Sequence, residues 1–257
     1  MNKTIIKYTF HNIFSQSLTK LYIFIELLVV FIFIFLKFEI TDYKITTLSC
    51  FNIILDEPFI IKSFSKSFTG LYVFFVNFII ILIAARLFAE GYRDPLLDII
   101  IPKLKKTSEY YYSQLFGFLI WFSLNLVIFL LMATSLFSIH AGFIIFEPFV
   151  IILLLVLGNI FYVGIVISLL SILFDGFTAS LLLLLPLFFG STIIAFLNSS
   201  EEIVYFLNIV FPLIQTNILI ASIFNGEFVI DYAIFLTLPM LLILLKYSEI
   251  IFKRKWF

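Results

Sequence analysis

Few residues in this sequence are of types that do chemistry, and their placing limits what that chemistry is. Glu26 lies about two turns inside an apolar run, where an ionised carboxylate is costly. Arg86 stands near the end of a second run at a similar depth, so the two are expected to pair. That pair would be structural, or it would handle protons or substrate. Glu90, one turn beyond Arg86, is the alternative partner for the arginine. Asn125 and Asn159 interrupt two more apolar runs and suit hydrogen bonds between helices. Asp175 sits in the tight turn Asp175-Gly176, as a solvated turn residue or as a surface contact. Cys50 is the single cysteine, and His11 and His140 fall near opposite ends of the expected fold. No nucleophile–base pair or ligand cluster emerges, so catalytic and metal-binding residues are expected to be none.

The elements that must position these residues follow from composition. Hydrophobic residues make up 63% of the 257 and charged residues 12%, and the mean hydropathy is +1.20. Soluble domains carry roughly a quarter charged residues, so the chain is read as an all-α, polytopic membrane protein. A span needs about 20 mostly apolar residues, and six runs qualify: 18–36, 69–89, 113–139, 149–174, 177–197 and 229–245. Net charge is zero, which argues against a nucleic-acid partner.

Basic residues orient the spans. Lys3, Lys7, Lys20, Arg86, Arg93, Lys103, Lys105, Lys106, Lys246, Lys253, Arg254 and Lys255 would be cytoplasmic, against Lys37, Lys44, Lys62 and Lys66 outside. Both termini are then inside. The expected location is the plasma (inner) membrane of a bacterium, with no cleaved signal peptide. Residues 3–17 suit a helix in the membrane interface, with Ile6, Phe10, Ile13 and Phe14 on one side, or else a polar lead-in to the first span. The loop 37–67 has room for a lid or a strand pair. Residues 200–225, broken by Pro212, read as short re-entrant outer helices, the rival being a seventh span. Gly164 and Ser168 have the spacing that lets helices approach closely.

The longest cation-bearing stretch between apolar runs is 90–112, EGYRDPLLDIIIPKLKKTSEYYY. Asp94 as N-cap and Pro95 at the first position start a helix, which Pro102 should stop near Ile101. Leu96, Leu97, Ile100 and Ile101 then share a broad apolar face, flanked by Asp94 and Asp98. By spacing alone, this is a short helix 94–101 lying on the membrane surface, its apolar face resting on lipid. Thr107 or Ser108, with Glu109, starts the next span.

The run Glu90-Gly-Tyr-Arg-Asp-Pro-Leu-Leu, with Pro102 beyond it, resembles the inner loop of ABC-2-type transporter permeases. Here Asp94 and Pro95 replace the usual small residue and threonine, and Lys103 replaces an arginine. The resemblance implies that 94–101 is a coupling helix. Glu90, Tyr92, Arg93, Asp94, Leu96, Leu97, Asp98 and Ile101 would then meet a separate ABC ATPase subunit, with Asp175 as a second inner contact. It also implies a transport cycle, in the export direction, run by alternating access. A second permease copy or a sister permease would complete the assembly. No G-x-x-x-x-G-K-[ST] loop is present, so the chain is not expected to be an enzyme; ATP and Mg belong to the partner. A membrane-embedded assembly or scaffold protein without a transport cycle is the alternative.

Overall fold

Long runs of Leu, Ile and Phe satisfy their backbone within themselves by coiling, and helices account for nearly all of the chain's regular structure. The computed structural model describes residues 2–41, 44–50, 53–55, 59–141, 147–196 and 232–255. The expected outer helices 200–225 lie outside these residues.

Helix α1 (Lys3–Ser15) turns through 72° into α2 (Ser17–Phe35). Gln16 makes the corner. Its extended backbone returns an N–H to the Ile13 carbonyl, while its own carbonyl accepts from Thr19 and Lys20. One residue thus closes one helix and opens the next. The buried line on α1 is Ile5, Thr9 and Ile13, packed mainly on the helix that starts at Ser108; of the expected stripe Ile6, Phe10, Ile13 and Phe14, Ile13 is buried and Phe10 partly so. Phe14 is exposed, its ring meeting Trp121 edge-to-face at 5.5 Å. The interface reading had assigned this side to lipid; in part it faces protein.

Between α2 and α3 (Ile61–Gly91) the backbone forms a small antiparallel sheet. Strand β1 (Leu36–Thr41) pairs β2 (Lys44–Cys50), and β3 (Ile53–Leu55) and β4 (Phe59–Ile60) both pair β2. This is the strand pair for which 37–67 had room, extended by two short strands. It adds to the helical class without changing it.

The remaining elements among the described residues are helical: α4 (Leu97–Ile100), a 3₁₀ turn (Ile101–Lys103), α5 (Ser108–Ala141), α6 (Glu147–Leu173), α7 (Gly176–Phe196) and α8 (Tyr232–Lys255). Among the described residues, three stretches are long and apolar enough to cross a membrane: Gly70–Gly91, Ser108–Leu136 and Leu153–Leu173. The bent pair α1–α2 makes a fourth if counted as one span. The chain therefore fits a membrane-embedded protein.

The most extensive interface joins α3 to α6, and α5, α7 and α8 pack around that pair. Gly164 of α6 faces α5, where a Cβ would stand 3.0 Å from the Phe118 ring and 3.3 Å from Leu119. One turn on, the Ser168 and Tyr111 hydroxyls meet at 3.1 Å. The small face predicted on this helix is an interhelical contact. The end of α3, the start of α5, the α6–α7 turn and the end of α8 gather at one end of the bundle, here called basal.

Candidate functional site

At the basal end, α3 stops at Gly91 and the chain turns on Asp94. One oxygen of that carboxylate accepts from the Leu96 N–H at 2.9 Å, and the other accepts from the Tyr8 hydroxyl at 3.2 Å. The residue that starts the turn, as expected, also ties it to α1. The helix is shorter than 94–101. Only Leu97–Ile100 is α-helical, and the chain does not stop before Pro102 but passes through it in the 3₁₀ turn Ile101–Lys103. Proline fits there because an opening helical turn needs no N–H from it. Helix α5 then begins at Ser108 with Glu109 in its first turn, as its start signal indicated.

The faces of this segment differ from the expected ones. Leu97 and Ile101 are buried, and Tyr92 is 0% exposed. These three cannot touch a partner; they fix the segment to the bundle. The outward residues are Leu96 and Ile99, 50% and 56% exposed, with Asp98 between them. Arg93, Lys103, Lys105 and Lys106 are exposed around this tip. A single α-helical turn that passes into a 3₁₀ turn rotates its side chains away from the positions of a regular 94–101 helix.

Aromatic packing anchors the tip. The Tyr92 ring lies 5.1 Å from Phe252 and 5.8 Å from Phe88, and Tyr110 stacks on Phe252 at 6.2 Å with the rings 7° from parallel. The Tyr110 hydroxyl donates to the Gly91 carbonyl at 3.3 Å, and Gln114 Nε2 donates to the Leu87 carbonyl at 3.2 Å. Three helix ends, those of α3, α5 and α8, are thereby locked to the segment.

Glu249 extends the lock. Its carboxylate accepts from Lys246 at 2.8 Å, Lys253 at 2.6 Å and the Tyr112 hydroxyl at 2.7 Å. The two ammonium groups, Lys246 first, hold its pKa down to about 2 against the opposing effect of burial. A carboxylate held low stabilises the fold above its unfolded pKa of about 4.3, and that stability is lost as pH falls toward about 2. Thermal unfolding in detergent is therefore expected to weaken with acidification across this window. Glu249→Gln should start lower at neutral pH and show a flatter profile there; an unchanged profile would remove Glu249 from the lock.

Arg86, Glu90, Arg93, Asp94 and Asp175 line one open cavity of about 750 Å³. The α6–α7 turn reaches it because Gly176 lies close on α3, where a Cβ would stand 3.1 Å from both the Ala85 carbonyl and the Ala89 methyl. Asp175 is fully exposed, and the Thr178 hydroxyl bonded to its carboxylate holds it below the ordinary carboxylate range. It is a turn residue that also borders the site, beside Arg93.

The expected Glu26–Arg86 pair does not form. Arg86 Nε binds Glu90 Oε1 at 2.7 Å, both side chains largely exposed, and such pairs contribute little. Glu26, 6% exposed, sits between α2, α3 and α5. Its oxygens accept from the Tyr72 hydroxyl at 3.2 Å and from Asn125 Nδ2 at 2.7 Å, with Tyr22 beside them. The arginine is half-exposed and its charge already meets Glu90 one turn on, so it has no reason to reach inward. Asn125 makes the interhelical bond expected of it. Tyr22, Tyr72, Tyr110, Tyr112, Phe252 and Glu249 were not singled out by sequence; only the Tyr110-Tyr111-Tyr112 run was a visible signal.

Among the described residues no three His, Cys, Asp or Glu side chains converge as a metal site. No protein-family model, no curated protein and no solved structure matches this chain.

Proposed function

We propose that this chain is the membrane permease subunit of an ABC transporter, with six spans, both termini cytoplasmic and the basal end facing the cytoplasm. The observation that carries the reading is the exposed Leu96–Asp98–Ile99 tip, held on a segment whose inner side is clamped to the ends of α3, α5 and α8. Exposed apolar residues on a short rigid projection suit a partner's groove. Force applied to that tip would pass into three helices at once, which is the requirement for alternating access. ATP hydrolysis then takes place on a separate ATPase subunit. Arg93, Asp94, Glu90 and Asp175 would flank the contact, and a second permease copy or sister permease would complete the exporter.

Co-purification with an ABC ATPase encoded beside this chain tests the reading. Leu96→Ala, Asp98→Lys and Ile99→Ala together are expected to abolish ATPase capture and stimulated ATP hydrolysis. Helix content and unfolding temperature should stay as in the parent, because all three side chains point outward. Capture and stimulation that survive the triple change would reject the docking assignment.

A further inference from the structure

One face of α2 is polar where its neighbours are apolar. Gln16, Thr19, Tyr22 and Glu26 follow one another at intervals of three or four residues, each almost wholly buried. Gln16 Oε1 and Thr19 Oγ1 make no hydrogen bond, although both are shielded, and the Tyr22 hydroxyl beyond them lies against Glu26. Buried polar atoms rarely go unpaired, and water meets the need where polar groups follow one another closely. Gln16 also borders a polar cleft of about 280 Å³ opening at the basal end. The stripe thus runs from that cleft to the carboxylate, roughly 15 Å for ten residues of helix.

We propose that Glu26 is a proton-binding site inside the bundle, reached from the basal cleft along a hydrated seam on α2. A proton entering from the cleft passes along waters held by Gln16, Thr19 and Tyr22 and binds a Glu26 oxygen. The carboxylate becomes a neutral acid, and release reverses the step. Chemistry favours a proton over a metal ion here. Tyr72 and Asn125 point donors at the carboxylate, whereas a hard cation needs several converging oxygen acceptors. Among the described residues, the groups acting on Glu26 are Tyr22 on its own helix, Tyr72 on α3 and Asn125 on α5; no cation is among them. The inference is independent of the ATPase reading.

Infrared difference spectroscopy of the full chain in lipid nanodiscs tests it. The wild type is expected to show a carboxylic-acid C=O band that titrates with pH and is lost in Glu26→Gln. Asn125→Ala should shift the same band, which keeps the assignment testable if Glu26→Gln folds poorly. Thr19→Val, which removes a hydroxyl and little else, should slow exchange of that acid's proton for deuterium. A band indifferent to both Glu26→Gln and Asn125→Ala overturns the site, and wild-type exchange in Thr19→Val overturns the seam. Conversion of the band by added sodium at fixed pH would make it a cation site instead.

Discussion

Phe252→Ala is expected to lower the stability of the folded chain by about 3–5 kcal/mol, the usual cost of emptying a phenylalanine site in a packed core. Phe252 is completely buried and is the shared neighbour of Tyr92, Tyr110 and Tyr111, at 5.1, 6.2 and 5.8 Å. Its removal leaves a void bordered by three rings on two other elements, which cannot all collapse inward together. The end of α8 then loses its hold on the 92–107 segment, so basal amides should exchange faster than those of the α3–α6 interface. Ile250→Ala, two residues away on the exposed side of the same helix, is the control and should stay within about 0.5 kcal/mol of the parent. Chemical denaturation in mixed micelles reads both. Equal losses would show that the aromatic cluster is not the anchor.

Gly164→Leu should cost about 1–3 kcal/mol, the usual penalty for overfilling a tight contact, and should part α5 from α6. Even a Cβ there lies 3.0 Å from the Phe118 ring, which is itself fully buried and has nowhere to retreat. Separation would also break the Tyr111–Ser168 hydrogen bond one turn along, taking a buried partner from the Tyr111 hydroxyl, while Ser168 keeps its bond to the Ile165 carbonyl. Gly158 on the same helix has open space at its Cβ position, so Gly158→Leu should be tolerated. Intrinsic helix propensity favours leucine over glycine at both sites. A loss confined to Gly164→Leu would therefore come from packing. Unfolding temperatures of the two variants decide the matter, and matched values would dismiss the close approach.

Helix positions were legible because apolar run length maps directly onto helix length. Helices α2, α6 and α7 begin and end within two residues of the predicted runs 18–36, 149–174 and 177–197. Where polar residues join a helix beyond its apolar part, the run fell short: α3 begins eight residues before position 69, and α8 continues ten past position 245. The turn at Asp94 was legible from local chemistry, and so was the Arg86–Glu90 alternative. Helix faces were not. When a helix is apolar on every side, hydrophobicity does not say which side meets protein and which meets lipid. The partners of Glu26 lie 46 and 99 residues away, and the tyrosine bound to Glu249 lies 137 away. Nothing in the spacing around Tyr92 separates a buried anchor from an exposed contact. Tertiary packing alone turned Leu97 in and Leu96 out.

The corner at Gln16 sets a timetable for assembly. Helix α1 packs most extensively against α5, and the Asn2 N–H reaches the Ser113 hydroxyl across 111 positions of chain. At a synthesis rate of about 5–20 residues per second, α1 waits roughly 6–22 s for that partner to be made. During the wait its Ile5–Thr9–Ile13 side has no protein to cover it. The bilayer surface is the shelter an amphipathic helix of this kind finds. In a chain embedded in a bilayer, lipid attraction and protein packing would act on α1 in succession, the first holding it until the second can claim it.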